Sequence, residues 1–338
     1  MRATIKDVSR EAGVSIKTVS RVLNNERYVG AATRARVQAA VVALHFRPNL
    51  AARSLAGRRS FQIGLVCDNP SPYYVYEMQM GVRDRCEADG VRMIAQPYDR
   101  GSERLLEDIA GLIDATRVDG LILTPPICDH VGVLEMLTQR GVRFVRVSPG
   151  AVTSPTSSTF IDNRAAARTM TEHLLAAGHR RIGFIGGLRD YATSAQRRLG
   201  YHDALAAAGI AVDPALDRDG GYTFASGATA GGDLLALRVP PTAIFAANDE
   251  MAAGVLATAH RLGLRLPQDL AVAGFGDDAL AGYVWPPLTT IRQPVRELAW
   301  NAADLLLAPA DAPVEARVVG FDLIVRESTE PAAQDAPV

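Results

Sequence analysis

Residues 4–24 read TIKDVSREAGVSIKTVSRVLN. Thr4 is a helix-capping residue type, Ile5, Val8 and Ala12 recur behind it at helical spacing, Asp7 falls in the first turn and Gly13 supplies a stop. A second start follows at once. Ser15 can cap a helix whose Val19, Val22 and Leu23 point inward, leaving Ile16, Lys17, Ser20, Arg21 and Asn24 along the opposite face. Two short helices joined through Gly13-Val14 make a helix-turn-helix.

Beyond a loop with Tyr28 and Gly30, the spacing predicts a third helix from about Ala32 to Leu44, with Val37, Ala40, Val41 and Leu44 as its buried stripe. Any small three-helix bundle with a solvated basic face would share this pattern. The second helix goes further, because its exposed strip of one Lys, one Arg, hydroxyls and an amide is the set that hydrogen-bonds base edges and phosphates in a major groove. Charge sorts the chain the same way. The whole sequence carries 36 Lys and Arg against 37 Asp and Glu, a net of -1 that would argue against a nucleic-acid partner. Residues 1–60, however, hold twelve basic side chains against Asp7, Glu11 and Glu26, or +9, and the other 278 residues hold 24 against 34, or -10. A basic head on an acidic body suits a polyanion at one end.

The head resembles that of the lactose/galactose-type (LacI/GalR) repressors. The resemblance rests on Thr4-Ile5-Lys6-Asp7-Val8, Ala12-Gly13-Val14-Ser15, Thr18-Val19-Ser20-Arg21-Val22-Leu23-Asn24, Thr33-Arg34 and Arg47-Pro48-Asn49. It implies that Ile16, Lys17 and Arg21 read bases, Lys17 and Arg21 being able to contact guanine N7 and O6. It also implies that Thr18, Ser20, Asn24 and Thr33 hold phosphates, with Thr4 a further contact. Gly30 stands where that family often has a serine cap, and glycine is acceptable there. Pro48 disfavours helix at Arg47, and Asn49 can cap a short segment that is too short to hold a helix alone and would fold on DNA. By resemblance this is the hinge helix, with Asn49, Ala52 and Arg53 touching DNA and Leu55 as the apolar wedge in a minor-groove step.

From Phe61 onward short apolar runs alternate with helical patterns. Strands are predicted at 63–66, 92–95, 120–123, 144–147, 182–185, 243–246, 271–275, 289–291 and 322–325, with helices from Met80 to Asp89 and from Glu103 to Ala115. Such alternation means parallel sheets covered on both faces. At 338 residues the length alone suggests about two domains of roughly 150 residues. This many strands exceeds one ordinary sheet, so the expectation is two doubly wound α/β subdomains with a cleft between them. The body resembles the type I periplasmic-binding-protein fold through the run 178–187, Asn248-Asp249, Gly274-Phe275 and the run 286–291. The expected organisation is a helix-turn-helix domain at 1–46, a hinge at 47–59, an effector-binding and dimerisation domain at 60–330 and a tail at 331–338. Within the body, subdomain 1 would take about 60–160 and 291–320 and subdomain 2 about 161–290 and 321–330.

Ligands of open α/β sheets bind beyond the carboxyl ends of strands. Tyr73 and Tyr74 follow the first body strand, Arg197 lies beyond Gly186-Gly187, Tyr222 follows Gly220-Gly221, Asn248 follows Phe245, Asp277 follows Gly274-Phe275, and Trp285 precedes Pro286. Singly each would pass as an ordinary surface residue. Together, aromatic faces with Arg, Asn and Asp at strand ends form a sugar-binding composition. The resemblance implies effector contacts at Arg197 and Tyr222. Where many members read Gly-Phe-Asp-Asp, this chain reads Gly274-Phe275-Gly276-Asp277-Asp278, with Gly276 at the usual effector carboxylate. Either Asp277 takes that role or the ligand is held differently.

No GxxxxGK[ST], HExxH or GxSxG motif is present, Gly183-x-x-Gly186-Gly187 lacks dinucleotide spacing, and the six histidines lack ligand spacing. No catalytic residue, cofactor or metal is therefore expected. Cys67, Cys86 and Cys128 read as reduced core thiols of a cytosolic protein. Lys6, Asp7, Arg10 and Glu11 stand where a signal peptide needs an apolar run, and no stretch of about 18 apolar residues follows, so a cytoplasmic protein without a membrane partner is expected. The tail 330–338 has two prolines and no leucine heptad, which points to a homodimer rather than a coiled-coil tetramer. The function expected is a DNA-binding repressor of a pseudo-palindromic operator, controlled by a small molecule, with a sugar as the favoured effector. The alternative is a cytosolic sugar-binding or sugar-modifying protein whose head mediates association. The exposed strip Ile16, Lys17, Ser20, Arg21 separates the two, because association does not need it.

Overall fold

The computed structural model describes residues 3–23, 28–46, 60–99, 101–151 and 155–329. The chain divides into two compact units, Met1–Phe61 and Gln62–Val338.

The first unit holds α1 (Ile5–Ala12), α2 (Ile16–Leu23) and α3 (Ala31–Ala43). The Thr4 backbone N–H and hydroxyl both donate to Asp7 Oδ2, at 2.9 and 2.7 Å. These bonds fix the first turn and hold the Asp7 carboxyl below its ordinary pKa. Gly13 adopts φ 62°, the left-handed conformation that lets α1 end and α2 begin within three residues. Ser15 Oγ then accepts from the Thr18 N–H at 3.1 Å as the cap of α2. Val8, Ala12, Val19, Val22, Val37 and Ala40 form the core, with Val41 and Leu44 at its edge and Phe46, just past the last helix, closing it. The expected hinge and its candidates Asn49, Ala52, Arg53 and Leu55, like Asn24, lie outside the described residues.

The second unit contains two six-stranded sheets. In chain order the first sheet's own strands are β1 (Gln62–Cys67), β2 (Arg92–Pro97), β3 (Leu121–Leu123), β4 (Phe144–Val147) and β5 (Ser158–Phe160). The second sheet's are β6 (Ile182–Gly186), β7 (Asp217–Asp219), β8 (Ala243–Ala246), β9 (Ala271–Gly276) and β10 (Thr289–Arg292). Two late strands, β11 (Ala316–Val318) and β12 (Asp322–Ile324), complete them as β11-β5-β4-β3-β1-β2 and β12-β10-β9-β8-β6-β7. Each sheet is doubly wound, with its order reversing beside its first strand. The first is parallel throughout; in the second, β12 pairs antiparallel with β10, correcting the expectation of purely parallel sheets.

The flanking helices are α4 (Pro72–Asp89), α5 (Leu105–Thr116), α6 (Val131–Gln139), α7 (Asn163–Ala176), α8 (Ala192–Ala207), α9 (Phe224–Leu235), α10 (Asp249–Arg261), α11 (Ala279–Tyr283) and α12 (Val295–Leu307). Helix α4 begins eight residues before the expected Met80, because Pro72 at the first position is preorganised for helix although Tyr73-Tyr74-Val75-Tyr76 reads as strand. The chain passes from the first sheet to the second after β5, returns as α12 against α4 and β4, adds β11, and leaves again as β12. β10 runs to Arg292, just past the boundary expected at 290. Apolar runs fully buried on both faces, such as Leu121–Leu123 and Ala243–Ala246, form the sheet centres. Cys67, Cys86 and Cys128 are buried free thiols; burial lifts the first two to about 11 and Cys128 well above its usual value, which makes them inert. Among the described residues no helix is long and apolar enough to cross a membrane.

Candidate functional site

Two surfaces carry the chemistry. On the first unit, α2 presents Ile16 at 44% exposure together with exposed Lys17 and Arg21. Thr18 and Ser20 are half-buried on the same helix, Thr33 is half-buried on α3, and Thr4 is exposed at the start of α1. An apolar residue left this exposed on an eight-residue helix, flanked by cations and hydroxyls, matches the composition of a groove-reading face.

In the second unit a cleft opens where the carboxyl ends of both sheets meet. It is lined by Asn69 and Tyr74 after β1, Pro125 after β3 and Ser148 after β4 on one side. The other side supplies Tyr191, Thr193 and Arg197 after β6, Tyr222 after β7, Asn248 after β8, Phe275, Gly276 and Asp278 at the end of β9, and Gln293 after β10. These are the switch points of both sheets, where diverging loops leave a crevice.

Arg197, on α8, is only 6% exposed. Its Nε donates to Asn163 Oδ1 at 2.9 Å, Nη1 to the Ala247 carbonyl at 2.5 Å and Nη2 to Gln293 Oε1 at 3.3 Å. Its guanidinium carbon lies 3.5 Å from the centre of the Phe275 ring. None of these partners is a carboxylate. Burial is the main influence on its pKa and pulls it down, with Tyr222, Tyr74 and Asp249 beside it acting the other way. A buried cation held by neutral acceptors over an aromatic face retains attraction for a ligand's lone pairs.

Tyr222 occupies φ 60°, and its carbonyl accepts from Asn248 Nδ2 at 3.0 Å while Asn248 Oδ1 caps α10 by accepting from the Met251 N–H at 3.0 Å. Its ring leans on Tyr191, centroids 5.4 Å apart. A Cβ on Gly187 would come within 2.0 Å of that ring, so the glycine is what allows Tyr222 into the cleft. Tyr222 Oη and Ser148 Oγ are buried without a hydrogen-bond partner. Beneath the floor, Asp249 accepts from the Thr290 hydroxyl at 2.6 Å and the Asp278 N–H at 3.0 Å, and burial lifts it to about 6. Asp278 is pushed up to about 7 by burial and then by Asp249, Glu250, Asp277 and Glu77. Among the described residues no group of three or more His, Cys, Asp or Glu is arranged to hold a metal.

Of the seven residues singled out from sequence, Tyr74, Arg197, Tyr222 and Asn248 meet in the cleft. Tyr73 and Asp277 do not line it; they lie along an outer groove with Tyr76 and Trp300. Asp277 is there engaged by Arg292 Nε at 2.7 Å and Arg326 Nη2 at 2.6 Å, with its side chain 8% exposed. Trp285 is 71% exposed, its carbonyl within 2.7 Å of His260 Nε2. Sequence reasoning missed Tyr191, Ser148, Gln293 and Asp278. All four follow strand ends, so the strand-end rule applied to every residue type could have found them.

Comparison with known proteins matches residues 4–49 to the family described as bacterial regulatory proteins, lacI family, and residues 171–329 to the periplasmic binding protein-like domain. The HTH-type transcriptional repressor PurR of Photobacterium profundum is 34% identical over 335 residues, covering 97% of this chain and 99% of that protein. A solved complex of the transcriptional regulator CelR with cellobiose superposes with a TM-score of 0.73 at 32% identity, over 97% of this chain and 100% of that one. The lac repressor dimer bound to operator and the anti-inducer ONPF gives a TM-score of 0.79 at 29% identity, over 97% and 99%.

Proposed function

The chain belongs to the lacI family of bacterial regulatory proteins, DNA-binding transcriptional regulators under allosteric control, and within that frame we propose that it is a cytoplasmic, homodimeric repressor whose effector is a sugar or sugar derivative. The observation that carries the effector reading is the cleft's composition. A buried Arg197 without a carboxylate partner, the unpartnered hydroxyls of Tyr222 and Ser148, and the rings of Tyr74, Tyr191 and Tyr222 converge at the ends of both sheets. Rings cover the apolar face of a cyclic polyol while donors and acceptors at the edges take its hydroxyls.

At the other end, Ile16, Lys17 and Arg21 read base edges, while Thr4, Thr18, Ser20, Asn24 and Thr33 anchor phosphates. Two heads of a dimer take the half-sites of a pseudo-palindromic operator, and the segment with Asn49, Ala52, Arg53 and Leu55 contacts its centre. Effector binding in the cleft biases the closed arrangement of the two lobes, and a coupling of about 1–3 kcal/mol suffices to change operator occupancy.

The test begins with selection of operator sequences from a random oligonucleotide pool by the full chain. Titration with pentoses, hexoses and disaccharides, followed by Trp fluorescence and repeat operator binding, completes it. A palindromic consensus with steep salt dependence and a sugar that shifts its affinity are expected. A flat selection would refute the operator reading, and no response to any sugar would refute the effector class.

A further inference from the structure

Gly276 ends β9 at φ 143°, and a Cβ placed on it would lie 3.2 Å from Oδ2 of Asp249 and 3.6 Å from Cγ and Oδ2 of Asp278. The Asp249 and Asp278 carboxylates thus flank the space a side chain would take there, and of the two it is Asp278 that lines the cleft. The neighbouring acids are committed elsewhere. Asp277 is held by Arg292 and Arg326, and Asp249 by Thr290 and the Asp278 backbone. The Asp278 carboxylate caps no helix N–H and has no hydrogen-bond or ion-pair partner among the described residues, although it is half-buried beside Asp249, Glu250, Asp277 and Glu77. In the same cleft Tyr222 Oη and Ser148 Oγ are buried without a partner, so polar groups that nothing in the protein satisfies lie together there.

Building on the polyol reading of this cleft, we propose that Asp278 is the carboxylate that grips the effector, accepting hydrogen bonds from adjacent ligand hydroxyls over the side-chain-free Gly276. The position that lacks a side chain is what lets the carboxylate two residues on reach the ligand, so specificity for vicinal hydroxyls resides in Asp278 rather than Asp277.

The experiment is calorimetric titration of the full chain, as wild type, Asp278→Asn and Asp278→Ala, with pentoses, hexoses and cellobiose. Melting of each ligand-free protein is measured in parallel. For any sugar that binds the wild type, loss of one charge-assisted contact predicts affinity weaker by about 10- to 100-fold, Ala more than Asn. Because a half-buried carboxylate crowded by other acids is removed, the ligand-free melting temperature should hold or rise. Equal affinity in both variants overturns the inference and leaves the polyol reading standing. A fall in melting temperature in both would show that Asp278 is structural and overturns it as well. Failure of every sugar to bind the wild type overturns the polyol reading itself.

Discussion

The hydroxyl of Tyr191 donates to the backbone carbonyl of Asp68 at 2.7 Å. Tyr191 caps α8 on the second sheet and Asp68 follows β1 of the first, so this bond spans the cleft. Because the Tyr191 ring also packs on Tyr222, this contact between the lobes is in touch with the lining of the cleft. Tyr191→Phe keeps the ring and deletes the bond. A neutral hydrogen bond is worth about 1 kcal/mol, so the balance between closed and open lobes should shift about fivefold toward open. Small-angle scattering should show a larger radius of gyration without effector, and effector affinity should fall by a similar factor. If neither changes, the bond does not set the balance.

Acidity supplies a second handle. Asp249 and Asp278 titrate at about 6 and about 7, above ordinary carboxylates, because burial disfavours their charged forms. A raised carboxyl contributes stability that is complete below its unfolded pKa and is lost as pH rises through the folded one. His179, lowered by burial, acts oppositely, but only below the ordinary histidine value. The carboxyls lowered by arginine partners, such as Asp269 at about 2, change only in acid. Between pH 6.5 and 8 the ligand-free second unit should therefore melt at a lower temperature as pH rises, and Asp278→Asn should flatten that slope. Differential scanning calorimetry at those two pH values decides it; a flat wild-type profile would refute the assignment.

How far these features were legible in the sequence differs by element. The central strands announced themselves as short apolar runs because both of their faces are buried. The three-residue strands Ser158–Phe160, Asp217–Asp219 and Ala316–Val318 did not, since three residues are too few to carry a period. Of the cleft, Arg197 and Tyr222 stood out through chemistry that strand ends rarely carry by accident. Ser148 and Gln293 are small or neutral residues whose role arises only where two distant sheets meet. The choice between Asp277 and Asp278 could not be read from order along the chain. It depends on Arg292 and Arg326, the second of them 49 residues away, which draw Asp277 out of the cleft.

On the DNA-binding face, charge and specificity should separate. Arg21→Ala removes a planar donor pair suited to guanine and is expected to cost about 1–3 kcal/mol against the selected operator while relaxing preference at one base position. Thr18→Ala, at a position proposed to hold phosphate, should weaken all sequences alike. Fluorescence anisotropy on the operator and on single-base variants distinguishes them, and a uniform loss with Arg21→Ala would place that side chain on phosphate instead.

Gly187→Ala tests whether Tyr222 is an effector contact or only part of the core. The new methyl would lie 2.0–2.4 Å from Cζ, Oη and Cε2 of the Tyr222 ring. That ring has little freedom to withdraw, because Asn248 pins its backbone at φ 60° and Tyr191 backs its face. Relief requires the ring to swing out of the cleft. Nothing in the first unit is touched, so effector-free operator affinity should stay within about twofold, while the effector concentration for half response should rise by about tenfold or more, the scale of one lost ring contact. A fluorescence titration of operator-bound protein with the identified sugar measures both. If the half-response concentration is unchanged while the melting temperature falls, Tyr222 packs the core and the ligand lies elsewhere in the cleft.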